Sequence, residues 1–131
     1  MLARGAGHIL NVSSTAAFQP GPNVNVYYAS KAFVFSFSYA LADELQGTGV
    51  TVTVVCPGMT RTEFQKRAQM REGGRWPMMS ARSVAESAYR GMMKGKRVVI
   101  PGFMNRIGSF LARRSPLRLT SVIVRKIHEP S

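Results

Sequence analysis

Three short β-type runs, set apart by stretches of helical periodicity, restrict the fold of this chain more than any other feature. His8 to Val12 is apolar and nearly unbroken, the pattern of a parallel strand covered on both faces. Val50 to Cys56 is the second run; its β-branched core from Thr51 onward suits a packed, pleated surface. Arg97 to Ile100 is the third and stops at Pro101-Gly102. Between the first two, Val26 to Gln46 reads as one long helix. Ala29, Ala32, Phe33, Ser36, Phe37, Ala40 and Leu41 recur along it at three- and four-residue steps, and Gly47 and Gly49 end it. Its aromatic residues Phe33, Phe35, Phe37 and Tyr39 read as core. A second helix is predicted over Ala81 to Lys94, capped by Ser80 and stopped by Gly95. This alternation of strand and helix is that of an α/β chain.

Composition bounds the possibilities. A chain of 131 residues can bury one core. The single cysteine, Cys56, excludes an internal disulfide and fits a reducing compartment; next to Pro57 at a strand end it reads as a small buried apolar residue, not a nucleophile. The net charge of +12 raises the question of nucleic acid. The basic residues are instead spread over Arg61 to Arg82 and Lys94 to Lys126 without an aromatic platform, which argues against it. His8 and His128 are too isolated for a metal site, and no Ser-His-Asp order with supporting motifs suggests a hydrolase. No membrane-spanning run or signal peptide is visible, so a cytoplasmic setting is expected.

The chemistry concentrates in one constellation. Tyr27 and Lys31 stand four residues apart on one helix face, which puts an ammonium one turn from a phenol. A nearby positive charge favours the phenolate, so a tyrosine placed this way can exchange protons near neutral pH. Ser14 ends the first strand run, and Pro57-Gly58-Met59-Thr60-Arg61-Thr62 follows the second. Each motif falls where an element end brings it to one rim of a sheet. Phe18 to Asn23, rich in breakers, is a loop between the serine and the tyrosine and should border a substrate.

Asn11-Val12-Ser13-Ser14, Tyr27-Tyr28-Ala29-Ser30-Lys31 and Pro57 to Thr62 together resemble the second half of the short-chain dehydrogenase/reductase family, over about residues 5 to 103. The resemblance implies the C-terminal half of a doubly wound, Rossmann-type parallel sheet, with about three strands and flanking helices. It implies hydride transfer between NAD or NADP and an alcohol or carbonyl. By position, Ser14 matches the serine that holds the substrate oxygen and Tyr27 the proton donor and acceptor. Lys31 matches the lysine on the nicotinamide ribose, and Pro57, Gly58, Thr60 and Thr62 match the loop against the carboxamide and phosphates. Homo-oligomers are expected of such a protein, partly through the long helix.

The family's G-x-x-x-G-x-G phosphate loop does not occur in the chain, nor does its Asn-Asn-Ala-Gly segment. The expectation is therefore a C-terminal half, poorly active alone, with Met1 to Gly5 as a frayed helix end and an unpaired edge on the first strand. Glu63 to Arg71 has helical character, broken at Gly73 to Pro77; Trp76, Met78 and Met79 are either substrate-lining or ordinary packing under a loop.

Residues 1–103 then form the dehydrogenase part and 104–131 a basic amphipathic tail. Helices are predicted in that tail over Asn105 to Arg113 and Leu117 to His128, broken at Ser115-Pro116. Such a tail packs on its own domain or a second subunit, or makes peripheral contact with an anionic membrane. A non-catalytic remnant that only associates with other subunits is the alternative reading of the whole chain.

Overall fold

The computed structural model describes residues 1–61 and 78–128. A 3₁₀ turn, Leu2–Arg4, stops at Gly5, whose φ of 62° lies in the left-handed region. The main elements follow as β1 (Gly7–Val12), α1 (Asn25–Glu44), β2 (Val50–Val55), β3 (Thr60–Arg61), β4 (Met79–Ser80), α2 (Ala81–Met93), β5 (Val98–Val99), α3 (Phe103–Arg114) and α4 (Leu117–His128). A second 3₁₀ turn, Thr15–Phe18, lies between β1 and α1.

β2 is the middle strand, with β1 on one side and β5 on the other, all parallel. β1 and β2 run in step from Gly7 opposite Val50 to Val12 opposite Val55. Successive residues of a strand face opposite ways, and Val52, Thr53, Val54 and Val55 are all buried. β2 is therefore covered on both faces, with α1 and α2 both packed on it. Val55, Ala88 of α2 and Val99 of β5 form the core cluster, with Leu10 of β1 against it. The buried Thr53 hydroxyl donates to the Lys96 carbonyl at 2.7 Å, so its polarity is satisfied. Gly49 has a φ of 79° and lies against the Gly5 backbone, where a side chain has no room.

The three strands, the two flanking helices and both tail helices lie where the sequence predicts them, to within a few residues. Ser80 caps α2 by accepting from the Ser83 amide at 3.1 Å. Cys56 is fully buried, and its thiol is pushed up to about 11, chiefly by burial.

One expectation is overturned. Most of the recurring stripe of α1 is not core: Ala29, Phe33, Ser36, Phe37 and Ala40 are exposed, Phe33 by 69%, as is Tyr39, and only Ala32 and Leu41 of the stripe are half-buried. The side of α1 that meets the sheet is instead Lys31, Val34, Phe35, Ser38 and Leu41. The reason is polar bonding. The Asn11 amide of β1 donates to the Ser38 hydroxyl at 2.9 Å, and that hydroxyl donates to the Val34 carbonyl at 2.7 Å. The helix is thus held on the strand by hydrogen bonds that hydrophobic spacing does not register. Trp76 and the expected helix over Glu63 to Arg71 lie outside the described residues.

Candidate active site

Ser13 and Ser14 continue directly from β1. The Ser13 amide donates to the Val55 carbonyl at 2.8 Å and the Thr15 amide to the Pro57 carbonyl at 3.0 Å. The loops that follow β1 and β2 are thereby laced together past the C-terminal ends of the parallel strands. Ser14 opens the second 3₁₀ turn, its hydroxyl accepting from the Ala16 amide at 3.1 Å. The same hydroxyl lies 3.4 Å from the Pro57 carbonyl, a long bond that leaves it able to turn toward another partner.

α1 brings the other two groups to this rim. Lys31 is clamped at both ends: its backbone carbonyl accepts from the buried Ser13 hydroxyl at 2.7 Å, and its Nζ donates to the Val12 carbonyl at 3.3 Å. The same ammonium stands 5.7 Å from the centroid of the Tyr27 ring, one turn earlier on the helix. Tyr27 is 48% exposed, open to a ligand. Ser14, Tyr27 and Lys31 thus share the rim of β1.

Tyr28 has a different environment. Its ring fills the space beside Gly21, where a side chain would collide with it, and packs edge-on against His128 at 5.9 Å. Burial raises its phenol above the ordinary value, partly offset by a hydrogen bond with Gln19. This tyrosine stays protonated and walls the loop between Ser14 and Tyr27.

The loop after β2 holds the remaining candidates. Pro57 is tied to Thr15 as above. Gly58 lies against the Asn105 amide of α3, leaving no room for a Cβ. The Thr60 hydroxyl donates to the Gly58 carbonyl at 3.0 Å, and Thr60 pairs with Met79 across β3 and β4. Met79 is therefore part of a ladder, with its sulfur beside the Asn105 amide. Thr62 lies outside the described residues.

Three contributors escaped sequence reasoning. Ser13 ties helix to strand; Asn105 backs Gly58 and donates to the Pro101 carbonyl at 2.8 Å. Arg113 lays its guanidinium over the rings of Phe18 and Phe35, at 5.2 and 5.8 Å. The serine doublet was a visible signal for Ser13; nothing local marks Asn105 or Arg113, which act because the tail folds back. Among the described residues no cluster of His, Cys, Asp or Glu could hold a metal ion.

A parallel sheet flanked by helices, with polar groups gathered past its strand ends, defines the doubly wound nucleotide-binding class of α/β protein. Within that class the chain belongs to the short-chain dehydrogenase family, whose model matches residues 1–73. Sulfoacetaldehyde reductase 2 of Chromohalobacter salexigens is 54% identical over 65 residues, which cover 49% of this chain and 26% of that protein. NADP-dependent 3-hydroxy acid dehydrogenase YdfG of Escherichia coli is 49% identical over 65 residues, with the same shares of 49% and 26%. Among solved structures, a short-chain dehydrogenase from Sphingobium yanoikuyae in complex with NADPH matches with a TM-score of 0.71 at 30% identity. That match covers 86% of this chain and 45% of the other, so this chain spans less than half the length of these three relatives.

Proposed function

We propose that this chain carries the proton-transfer side of an oxidoreductase site that interconverts an alcohol and a carbonyl with a nicotinamide cofactor. The observation that carries the reading is the doubly clamped Lys31. Its ammonium is fixed both beside the Tyr27 ring and on the Val12 carbonyl, two residues before Ser14. In reduction, the Tyr27 hydroxyl gives its proton to the substrate oxygen while the Ser14 hydroxyl hydrogen-bonds that oxygen. The Lys31 ammonium stabilises the negative charge that develops on the phenol oxygen. In oxidation the same groups act in reverse.

The residues present fit the nicotinamide end of such a cofactor. Lys31 keeps further N–H donors for ribose hydroxyls, Tyr27 is open, and the close-packed Gly58 loop with Thr60, continued by Thr62 in sequence, borders the same rim. When bound, the cofactor supplies or accepts the hydride. The NADP dependence of the Escherichia coli relative and the NADPH of the Sphingobium structure support NADP over NAD. The pyrophosphate end has no glycine-rich cradle in this sequence, so we assign the chain to work within a longer or assembled protein, with little turnover alone. Outward-facing Phe33 and Phe37, stacked at 6.1 Å, support self-association through α1.

The test is Tyr27→Phe in a complete enzyme carrying this segment, followed by NADPH absorbance. Turnover is expected to fall on the order of 10²–10⁴-fold with cofactor binding retained, while Tyr28→Phe keeps most of its activity. Equal turnover in Tyr27→Phe would refute the assignment.

A further inference from the structure

α3 is mounted the opposite way from a helix that simply packs on its own domain. Its inward side is small or polar: Asn105, Ser109 and Ala112 are half-buried or buried. Its outward side is Phe103, Ile107, Phe110 and Leu111, all exposed, Phe110 by 53%. Arg114 shares that outward side, its guanidinium 4.3 Å above the Phe110 ring. α4 repeats the arrangement in part: Thr120 and Val124 are buried, while Leu119, Ile123 and Ile127 form an exposed stripe at four-residue spacing. Contiguous apolar surface of this kind marks a face that something covers.

The charge around that face indicates what covers it. No acidic residue occurs between Phe103 and His128, whereas Arg114, Arg118, Arg125 and Lys126 flank the apolar stripes. A second, separate observation lies next to α3. A cleft of about 480 Å³ lies not at the Tyr27 rim but beside β5, where Arg90, Lys94, Lys96 and Arg106 line it and no acidic residue is in the lining. Arg106 belongs to both features: it lies on α3, it lines the cleft, and its Nε donates to the Ile100 carbonyl at 3.0 Å. A second copy meeting this face in a two-fold dimer would set cations against cations. A surface apolar within and negative at its boundary complements both features at once, and an anionic bilayer is such a surface.

We propose that α3 and α4 seat the chain on an anionic lipid bilayer, with Phe103, Ile107 and Phe110 at the acyl boundary and lipid phosphates in the Arg90–Lys94–Lys96–Arg106 cleft. No described helix is long and apolar enough to cross a membrane, so the contact is peripheral. The inference does not depend on the redox reading.

Flotation of the full chain with phosphatidylcholine vesicles, with and without phosphatidylglycerol, tests it. Aggregates sink in this assay, so only lipid-bound chain rises. The chain is expected to rise with anionic vesicles alone and to be released by salt. Phe110→Asp should weaken partition on the order of tenfold, and Arg90→Gln or Lys94→Gln each about fivefold. Circular dichroism checks that Phe110→Asp remains folded; if it does not, the two cleft variants decide. Equal flotation on neutral vesicles overturns the proposal, as does no flotation at all. It is also overturned if Phe110→Asp abolishes self-association while lipid has no effect, or if inorganic phosphate binds the cleft without vesicle binding.

Discussion

Cys56 directly follows β2 in a fully buried position, its thiol held by burial well above the ordinary range. The thiolate is the reactive form, so iodoacetamide at pH 8 should leave Cys56 unmodified in the folded chain and label it in urea, as mass spectrometry would show. The same shift sets a pH dependence. The folded value of about 11 exceeds the reference value of 9.0, so the unfolded chain loses this proton first. The contribution to stability is whole below about pH 9 and is lost as pH rises toward 11. Urea melts of the native chain should weaken across that window more than those of Cys56→Ala; parallel curves would contradict the assignment. The position of Cys56 was readable from its neighbours, because a cysteine between β-branched residues and proline has few places to go. The placement of Ser14, Tyr27 and Lys31 near one rim was readable for a related reason: each belongs to a local motif close to the end of its own element. Asn105 and Arg113 were not, since their partners Gly58, Phe18 and Phe35 are distant in sequence.

α1 shows why an element can be read correctly and still be turned the wrong way. Periodicity locates a helix and its apolar stripe, but the side that meets the sheet is decided by everything packed there. Here the Asn11–Ser38 and Ser13–Lys31 hydrogen bonds hold a mixed polar and apolar side inward and leave Phe33 and Phe37 outward. Ser38→Ala should therefore be costly despite its small size. It strands the Asn11 amide against the helix, a loss of about 1–3 kcal/mol, measurable as a lower urea midpoint with an unchanged slope. An unaffected midpoint would mean that the Asn11 amide finds water instead. The tail helices show the same division: their limits follow from Ser115-Pro116 and Gly102, whereas the outward turn of Phe110 has no sequence signature.

At the scale of the whole molecule, one doubly covered strand carries two flanking strands, and the candidate chemistry lies past their common end. Among the described residues β1 pairs only with β2, so half of its backbone groups lack a ladder partner. On the proposed reading, the rim offers Lys31, Tyr27 and the Gly58 loop to a nicotinamide, while the sequence holds no glycine-rich turn for a pyrophosphate. Titrating this chain alone with NADPH, followed by nicotinamide fluorescence, is expected to give no saturation in the micromolar range; tight saturable binding would show that the phosphates are held some other way.

Lys31 gives the last consequence. A single residue is stapled to the serine loop through its main chain and to the preceding strand through its amine. Helix and loop therefore travel together, and small slippage elsewhere in the protein displaces the whole proposed proton relay without stretching it. Disturbances that dull this chemistry from afar must act on the staple itself, which makes Ser13 as exacting a position as the tyrosine.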